Sequence, residues 1–254
     1  MTLSKNKIKL IASLQIKKFR QKYNKFVVEG DKMVRELLQA PGWKTQEVYA
    51  VKSWLEQHAG LMVGGPVEAL EVEDESLKKI SSVQTPNQVL AVVELPAFQM
   101  DKAQVARSLS LYLDGIQDPG NCGTILRIAD WFGIRHVFCS QSTVDLFNPK
   151  VIQASMGAFL RVNAGTMDLP ALRQEFPGLT FWGADMDGQN VFEAPAPSAM
   201  VLVIGNEGSG IAPEHLPLMD NLLAVPRTAG TGAESLNAAV ATGILCAVLR
   251  DRHK

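Results

Sequence analysis

Three glycine-rich segments contain most of the residues that could do chemistry, and each follows an apolar stretch typical of a strand. They are residues 114–124, residues 205–210 and residues 225–237. Glycine lets the backbone adopt a positive φ or approach a ligand closely, and loops at strand ends commonly carry binding sites. A turn is the alternative explanation for any one such loop, and it is less favoured for three together, which predict a site for a small molecule.

The spacing of the glycines disfavours a bound phosphate. A nucleotide site needs Gly-x-Gly-x-x-Gly or Gly-x-x-x-x-Gly-Lys-Ser/Thr between a strand and a helix. Residues 205–210 instead read Gly-x-x-Gly-x-Gly, Pro213 delays the next helix, and the segment contains no lysine. We therefore expect a neutral or cationic adenine-containing cofactor.

The elements that must position these loops alternate regularly. In residues 107–254 short apolar stretches alternate with helical patterns, which predicts a mostly parallel sheet covered by helices on both faces. The predicted strands are at 109–113, 136–139, 159–162, 180–184, 201–204 and 222–225, and the predicted helices are at 123–132, 149–155, 169–175, 213–219 and 235–250. Ser235 is the expected N-cap of the last helix. Ligands of such sheets bind at the carboxyl ends of the strands.

A separate small α/β domain is predicted for residues 1–98. Helical and extended patterns alternate there as well, for example an extended stretch at 26–28 before a helix at 31–39. The proline-containing segment 95–102 has no clear period and is the expected domain boundary. The fold class is therefore α/β, with a small N-terminal domain and a C-terminal domain over residues 107–254.

The net charge of −1 conceals a strong asymmetry. Residues 1–25 contain eight lysines and arginines and no acidic residue, so the remainder has 17 basic and 26 acidic side chains. A basic arm on an acidic body suits the phosphates of a nucleic acid, although a solvated helix face would have the same composition. The residues expected to contact RNA are Lys17, Lys18, Arg20 and Lys22.

Other classes of protein find little support in the sequence. The three cysteines form no Cys-x-x-Cys pair and the four histidines are scattered, so we expect reduced, mostly buried thiols and no metal site. No apolar run approaches the roughly 20 residues of a membrane helix, and the N-terminus lacks the pattern of a signal peptide. The expected location is the cytoplasm.

The three loops resemble the signatures of the SpoU or TrmH class of knotted RNA 2′-O-methyltransferases, within the SPOUT superfamily. The matching stretches are residues 121–133, residues 203–210, and residues 225–226 together with 235–241. They occur in the family's order, and the resemblance covers residues 107–254. The first domain is similar to the ribosomal-protein-like substrate-binding domain that often precedes this catalytic domain, mainly through residues 26–30 with Val34, Leu37 and Leu38.

The resemblance implies a fold, a reaction and partners. It implies a trefoil knot near the C-terminus, which rules of chain topology would not suggest, and a homodimer with cofactor sites near the interface. It also implies methyl transfer from S-adenosylmethionine to the ribose 2′-hydroxyl of RNA. The separate N-terminal domain favours ribosomal RNA over transfer RNA, with guanosine among the candidate nucleotides.

Residue roles also follow from the match to the family. The matched catalytic positions are Asn121, Arg127, Glu207, Ser235 and Asn237. The implied cofactor neighbours are Ala184, Ile204, Gly205, Val225 and Leu236. Residues 238–240 read Ala-Ala-Val where the family often has Val-Ser-Val, a small departure that leaves catalysis plausible.

Several roles stay open between alternatives. The family's proposed role for Arg127 is activation of the 2′-hydroxyl, but a guanidinium stays protonated, so gripping the adjacent phosphate or lowering the pKa of the hydroxyl is physically easier. Asn121 could orient the ribose or fix its loop. Glu207 could hold the first loop or balance the positive charge of the cofactor.

Two other functions compete with this interpretation. One is a catalytically inactive RNA-binding or ribosome-assembly protein, which the joint presence of all five matched residues disfavours. The other is an unrelated nucleotide-dependent enzyme, which the missing phosphate-loop spacing disfavours.

Overall fold

The structure is a computed structural model that describes residues 3–62, 67–195, 197–228, 230, 232 and 234–251. The chain forms two compact units. The N-terminal unit is Met1–Ala97 together with Phe147–Leu160, and the C-terminal unit is Phe98–Leu146 together with Arg161–Lys254.

The N-terminal unit is a four-stranded sheet with helices on both faces. Numbered along the chain, its elements are α1 Lys5–Ser13, α2 Lys17–Tyr23, β1 Lys25–Glu29, α3 Asp31–Gln39, β2 Thr45–Ala50, α4 Lys52–Gln57, α5 Ala59–Met62, β3 Glu68–Glu71, α6 Asp74–Ile80, β4 Val89–Glu94 and α9 Pro149–Ser155. The strand order is β1-β4-β2-β3, with β4 antiparallel to both of its neighbours and β2 parallel to β3.

Strand β4 shows how the sequence builds the two layers. Side chains alternate between the faces of a strand. Val89 and Val93 therefore belong to one apolar cluster, which includes residues of α3 and α9, while Leu90 and Val92 belong to another, which includes residues of α1 and α6. The unbroken apolar run at 89–93 in β4 follows from burial on both faces.

Residues 147–160 pack with the N-terminal unit, although they lie inside the range predicted for the C-terminal domain. Ile152 and Phe159 are buried in the cluster that contains Phe26, and the rings of Phe26 and Phe159 are 6.1 Å apart. The indole Nε1 of Trp43 donates to the carbonyl of Leu160 at 3.3 Å. Sequence patterns indicate that a segment is buried but not which core buries it, so this association was not predicted. The predicted domain ranges themselves stay predictions.

The C-terminal unit is a six-stranded sheet in which every described pair is parallel, as predicted. Its elements are α7 Lys102–Val105, β5 Leu109–Asp114, α8 Pro119–Trp131, β6 His136–Cys139, β7 Asn163–Thr166, α10 Leu169–Glu175, β8 Thr180–Asn190, β9 Met200–Gly205, β10 Asn221–Ala224 and α11 Ala238–Asp251. The strand order is β10-β8-β9-β5-β6-β7. The knot implied by the resemblance stays a prediction.

Two predicted elements of this half are wrong. Residues 159–162 are not a strand, because Met156 and Gly157 take positive φ values of 50° and 90° after α9 and a 3-10 helix follows at Ala158–Leu160. Residues 213–219 do not form an α-helix but contain only the 3-10 helix Leu216–Leu218. Pro217 lacks the N–H that a longer helix there would need.

Among the described residues, no helix has both the length and the apolar character needed to cross a membrane. All three cysteines are free and buried, as the sequence predicts.

Candidate active site

The first loop passes directly into helix α8. Asp118 is the N-cap, its carboxylate accepts the N–H of Asn121 at 2.7 Å, and Pro119 occupies the first turn. An acidic cap followed by proline is a favourable helix start. The helix therefore begins four residues before the predicted residue 123, and Asn121 lies in its first turn instead of in a loop.

Gly115 anchors the start of the same loop. It has a φ of 75°, which favours glycine, and its N–H donates to the hydroxyl of Ser140 at 2.9 Å. The hydroxyl of Thr143 in turn donates to the carbonyl of Leu113 at 2.8 Å. Hydroxyl groups after β6 thus fix the backbone where β5 ends.

The second loop is a closed turn after β9. Asn206 and Gly210 form an isolated antiparallel bridge, with N–O distances of 2.9 and 3.0 Å. The side-chain oxygen of Asn206 accepts the N–H groups of Gly208 and Ser209, and its Nδ2 donates to the carbonyl of Gly115 at 2.8 Å. Asn206 therefore shapes the second loop and ties it to the first.

A chain of side-chain hydrogen bonds connects all three loops. Asn121 Nδ2 donates to Glu207 Oε1 at 2.9 Å, and Asn237 Nδ2 donates to Asn121 Oδ1 at 2.8 Å. Residues more than 80 positions apart in sequence thus meet in one network. The structure brings together these three of the five matched catalytic residues, and their roles stay predictions.

The other two matched residues lie outside this network. Arg127 is exposed on α8, almost two turns after Asn121, and makes no hydrogen bond or ion pair with any residue the structure describes. Ser235 is also exposed.

The expected N-cap at Ser235 is wrong. Helix α11 begins at Ala238, and the side-chain oxygen of Asn237 accepts the N–H groups of Ala239 at 3.0 Å and Val240 at 3.2 Å. Asn237 is therefore the cap. Both residue types are good caps, and only the position where the backbone becomes helical distinguishes them.

Three of the implied cofactor neighbours lie at the carboxyl ends of neighbouring strands. Ile204 and Gly205 end β9, Val225 follows β10, and Leu236 is exposed just before α11. Ala184 begins the stretch 184–188 of β8, which β10 skips because its pairing jumps from Gly183 to Gln189. Since β10, β8 and β9 are parallel neighbours, their carboxyl ends share this edge.

The thiol of Cys122, next to Asn121, is not activated as a nucleophile. Burial raises the pKa of the Cys122 thiol to about 12, and the negative charge of Glu207 adds to the effect. Only a thiolate is a good nucleophile, so Cys122 stays inert although it adjoins Asn121. No group of three His, Cys, Asp or Glu side chains suited to a metal ion occurs in the described part of the chain. The metal-free expectation stays a prediction.

One of the four expected RNA contacts is contradicted. Arg20 is only 2% exposed, and its guanidinium donates to the carbonyl of Leu14 at 2.8 Å, so it is a structural residue of helix α2. Lys17, Lys18 and Lys22 are exposed on α2. A seven-residue helix has one inward face, and sequence charge alone did not identify Arg20 as lying on it.

Sequence reasoning missed two residues that build the site. The glycine spacing indicates only a loop around Asn206, and the sequence pattern places Asp118 in a loop. The Asp-Pro pair at 118–119 is a recognisable helix start and could have been used. Nothing in the sequence indicates that Asn206 reaches Gly115, since that bond joins two separate strands.

Comparison with known proteins agrees with this geometry. The family model described as the SpoU rRNA Methylase family matches residues 108–247, and the MRM3-like substrate binding domain matches residues 5–91. The chain belongs to the SpoU rRNA methylase family. The resemblance found in the three loops is therefore confirmed, together with the N-terminal domain similar to a substrate-binding module.

Individual relatives cover nearly the whole chain. The 23S rRNA (guanosine(2553)-2′-O)-methyltransferase RlmP of Bacillus subtilis (strain 168) is 33% identical over 247 residues, 96% of each chain. A TrmH-family protein from Porphyromonas gingivalis is 40% identical with a TM-score of 0.87, covering 99% of this chain and 100% of that one. The AdoMet-bound rRNA methyltransferase from Sinorhizobium meliloti is 26% identical with a TM-score of 0.85, covering 99% and 96%.

Asn237 allows capping to be separated from the network. In Asn237→Asp a carboxylate oxygen still caps α11, but no N–H remains to bond Asn121. We expect the free energy of unfolding to stay within about 0.5 kcal/mol of wild type, while the rate of methyl transfer falls about tenfold or more. Asn237→Ala should also lose about 1 kcal/mol of stability, because the cap is gone. Chemical denaturation and initial transfer rates measure the two effects.

Ser235→Ala is the control for stability, and we expect a change of less than about 0.5 kcal/mol, since this exposed side chain caps nothing. Wild-type transfer rates in Asn237→Asp would show that the bond between Asn237 and Asn121 is not needed.

Proposed function

We propose that this chain transfers the methyl group of S-adenosylmethionine to the 2′-hydroxyl of a ribose in ribosomal RNA. One observation carries the proposal: in a chain of the SpoU family, hydrogen bonds join Glu207, Asn121 and Asn237 at the carboxyl edge of the parallel sheet. An inactive RNA-binding protein would have no need to keep this network intact.

The residues around the loops fit such a cofactor. The first two loops carry Asp118 and Glu207 and contain no lysine or arginine. A negative surrounding suits a cofactor whose sulfonium is positively charged and does not suit a phosphate. S-adenosylmethionine supplies a methyl group that the positive charge of its sulfonium already activates. Because transfer of this methyl group needs no Lewis acid, we propose a reaction without a metal ion.

The chain's own residues then position the ribose. Asn121 uses one Nδ2 hydrogen and one Oδ1 lone pair in the network, which leaves one of each for an RNA group. Arg127 is a fixed positive charge without a partner among the described residues, and a guanidinium binds phosphate with two parallel hydrogen bonds. We propose that Arg127 grips the phosphate beside the target ribose and that its charge favours loss of the hydroxyl proton to water as the oxygen takes the methyl group. In-line placement supplies most of the acceleration.

Large-subunit ribosomal RNA is the proposed substrate, with guanosine as the proposed nucleoside. The support is the similarity along almost the full length to a relative named for 23S rRNA guanosine, and the N-terminal match to a substrate-binding domain. Transfer RNA is the alternative that the experiment distinguishes.

Arg127→Ala tests the reaction and the role of this side chain together. Ribosomal RNA from a strain lacking the protein is incubated with purified enzyme and isotope-labelled S-adenosylmethionine, and the modified nucleoside is identified by digestion and mass spectrometry. We expect 2′-O-methylguanosine from wild type and a loss of about 10²-fold or more in Arg127→Ala, with cofactor affinity by calorimetry unchanged.

Arg127→Lys is the matched control, since it keeps the charge but not the bidentate geometry, and we expect only weak activity. A methylated base in place of ribose, or methylation of transfer RNA alone, would contradict the proposed reaction or substrate. Loss of cofactor binding in Arg127→Ala would contradict the proposed role.

We propose that the exposed lysines of helix α2 bind the phosphates of the RNA substrate. Lys17, Lys18 and Lys22 project from α2, where Lys22 lies 5.3 Å from the Tyr23 ring centroid. Exchanging all three for Gln should flatten the log-log dependence of RNA affinity on salt by up to about 0.9 per phosphate contact. Fluorescence anisotropy at several salt concentrations measures this slope.

A matched triple variant changes Lys44, Lys52 and Lys79, which are exposed elsewhere in the same unit. Both triple variants alter the net charge equally. An equal effect of both on the salt slope would therefore show that the lysines of α2 have no special role in RNA binding.

A homodimer is proposed through helices α8 and α11, which pack against each other. Trp131 on α8 is 85% exposed and Val240 on α11 is 52% exposed, and exposed large apolar side chains are typical of protein interfaces. Arg127 lies one turn from Trp131, so the interface would border the site.

Trp131→Glu should convert the dimer into a monomer, because a charge would be buried without a partner. Analytical ultracentrifugation measures the mass. Met186→Glu, at another exposed apolar residue, is the control and should stay dimeric. A monomeric wild type, or a dimeric Trp131→Glu, would contradict the proposal.

A further inference from the structure

A buried carboxylate ends the strand that leads into the first loop, and none of the matched catalytic positions includes it. Asp114 is the last residue of β5, is 4% exposed, and pairs in register with Gly205 of β9. A charge withdrawn from water is costly unless other groups compensate it. Its partners therefore indicate what the carboxylate is for.

Both partners of Asp114 lie just after the second loop. Its Oδ2 accepts one hydrogen bond from the backbone N–H of Ala212 at 2.9 Å and another from Nδ1 of His215 at 2.8 Å. The bond to Nδ1 fixes the orientation of the imidazole, whose ring lies at 86° to that of Tyr112 with the two centroids 6.3 Å apart. The carboxylate thus holds the chain where it leaves the second loop.

The beginning of the second loop is held by the neighbouring residue. Asn206 donates to the carbonyl of Gly115, so the two ends of the loop are attached to consecutive residues at the end of β5. Glu207 lies between these attachments, and its carboxylate accepts a hydrogen bond from Nδ2 of Asn121. The position of Glu207 therefore depends on both anchors.

We propose that Asp114 and His215 are positioning residues for methyl transfer, which anchor the second loop so that Glu207 and the Gly205 backbone keep the geometry that the reaction requires. This inference rests on the proposed function. Neither residue reaches the reacting atoms in the proposed arrangement, and both act through the loop. Displacement of a catalytic constellation by about 1 Å can reduce rates about a hundredfold, so the anchor matters for kinetics as well as for folding.

The test compares three variants of the full-length protein. His215→Phe keeps a ring against Tyr112 but cannot donate to Asp114. His215→Asn places an amide nitrogen close to the position of Nδ1 and can still donate. Leu216→Ala, at the exposed neighbouring residue, is the control. Thermal unfolding establishes a temperature at which each is folded, and kcat and the KM for S-adenosylmethionine are measured there.

For His215→Phe we expect kcat to fall about tenfold or more and the KM for S-adenosylmethionine to rise, with near wild-type values for His215→Asn and Leu216→Ala. Wild-type kinetics in folded His215→Phe, or equal impairment of His215→Asn, would overturn the proposal.

Should His215→Phe fail to fold, His215→Gln replaces it, because its amide nitrogen lies farther out, near the position of Nε2. A reduced kcat in His215→Gln together with a wild-type kcat in His215→Asn would support the proposed anchor. Equal kcat values in the two variants would overturn it. An inactive wild-type protein would instead overturn the proposed function itself.

Discussion

The close approach of two backbone segments after β9 is the constraint on which the site depends. A Cβ at Gly205 would lie 2.2 Å from the carbonyl carbon of Gly210, a distance that no side chain could tolerate. Because glycine permits this approach, the bridge between Asn206 and Gly210 can close. The closed turn then directs Asn206 toward Gly115 and Glu207 toward Asn121.

The site and the fold use the same side chains. Asn237 caps helix α11 and also donates to Asn121, while Asp118 caps helix α8 and fixes the N–H of Asn121. Two helix starts thus meet at one residue, since Asp118 accepts the backbone N–H of Asn121 and Asn237 donates to its side-chain oxygen. At Asn237 a substitution that removes the cap therefore also breaks the network.

The chain does not divide between its two units at a single point. It passes from one unit to the other after Ala97, after Leu146 and after Leu160, because residues 147–160 complete the core around Phe26. A substrate-binding unit made from residues 1–97 alone would expose the apolar surface that Ile152 and Phe159 cover. The hydroxyl groups of Ser140 and Thr143 anchor the first loop, and the chain that follows them enters the N-terminal unit at Phe147.

The sequence by itself determined the α/β class, the parallel sheet and the three loops, because apolar periodicity and glycine spacing are local properties that the backbone obeys directly. It also identified Asn121, Glu207 and Asn237, through their match to family signatures. Tertiary structure decided which partners these residues have, since a hydrogen bond between Asn121 and Glu207 depends on which strands become neighbours. It also decided that Arg20 points inward, that Asn237 and not Ser235 caps α11, and that residues 159–162 leave the extended conformation. In each case the residue type permits both outcomes, and the choice follows from packing against segments that are distant in the chain.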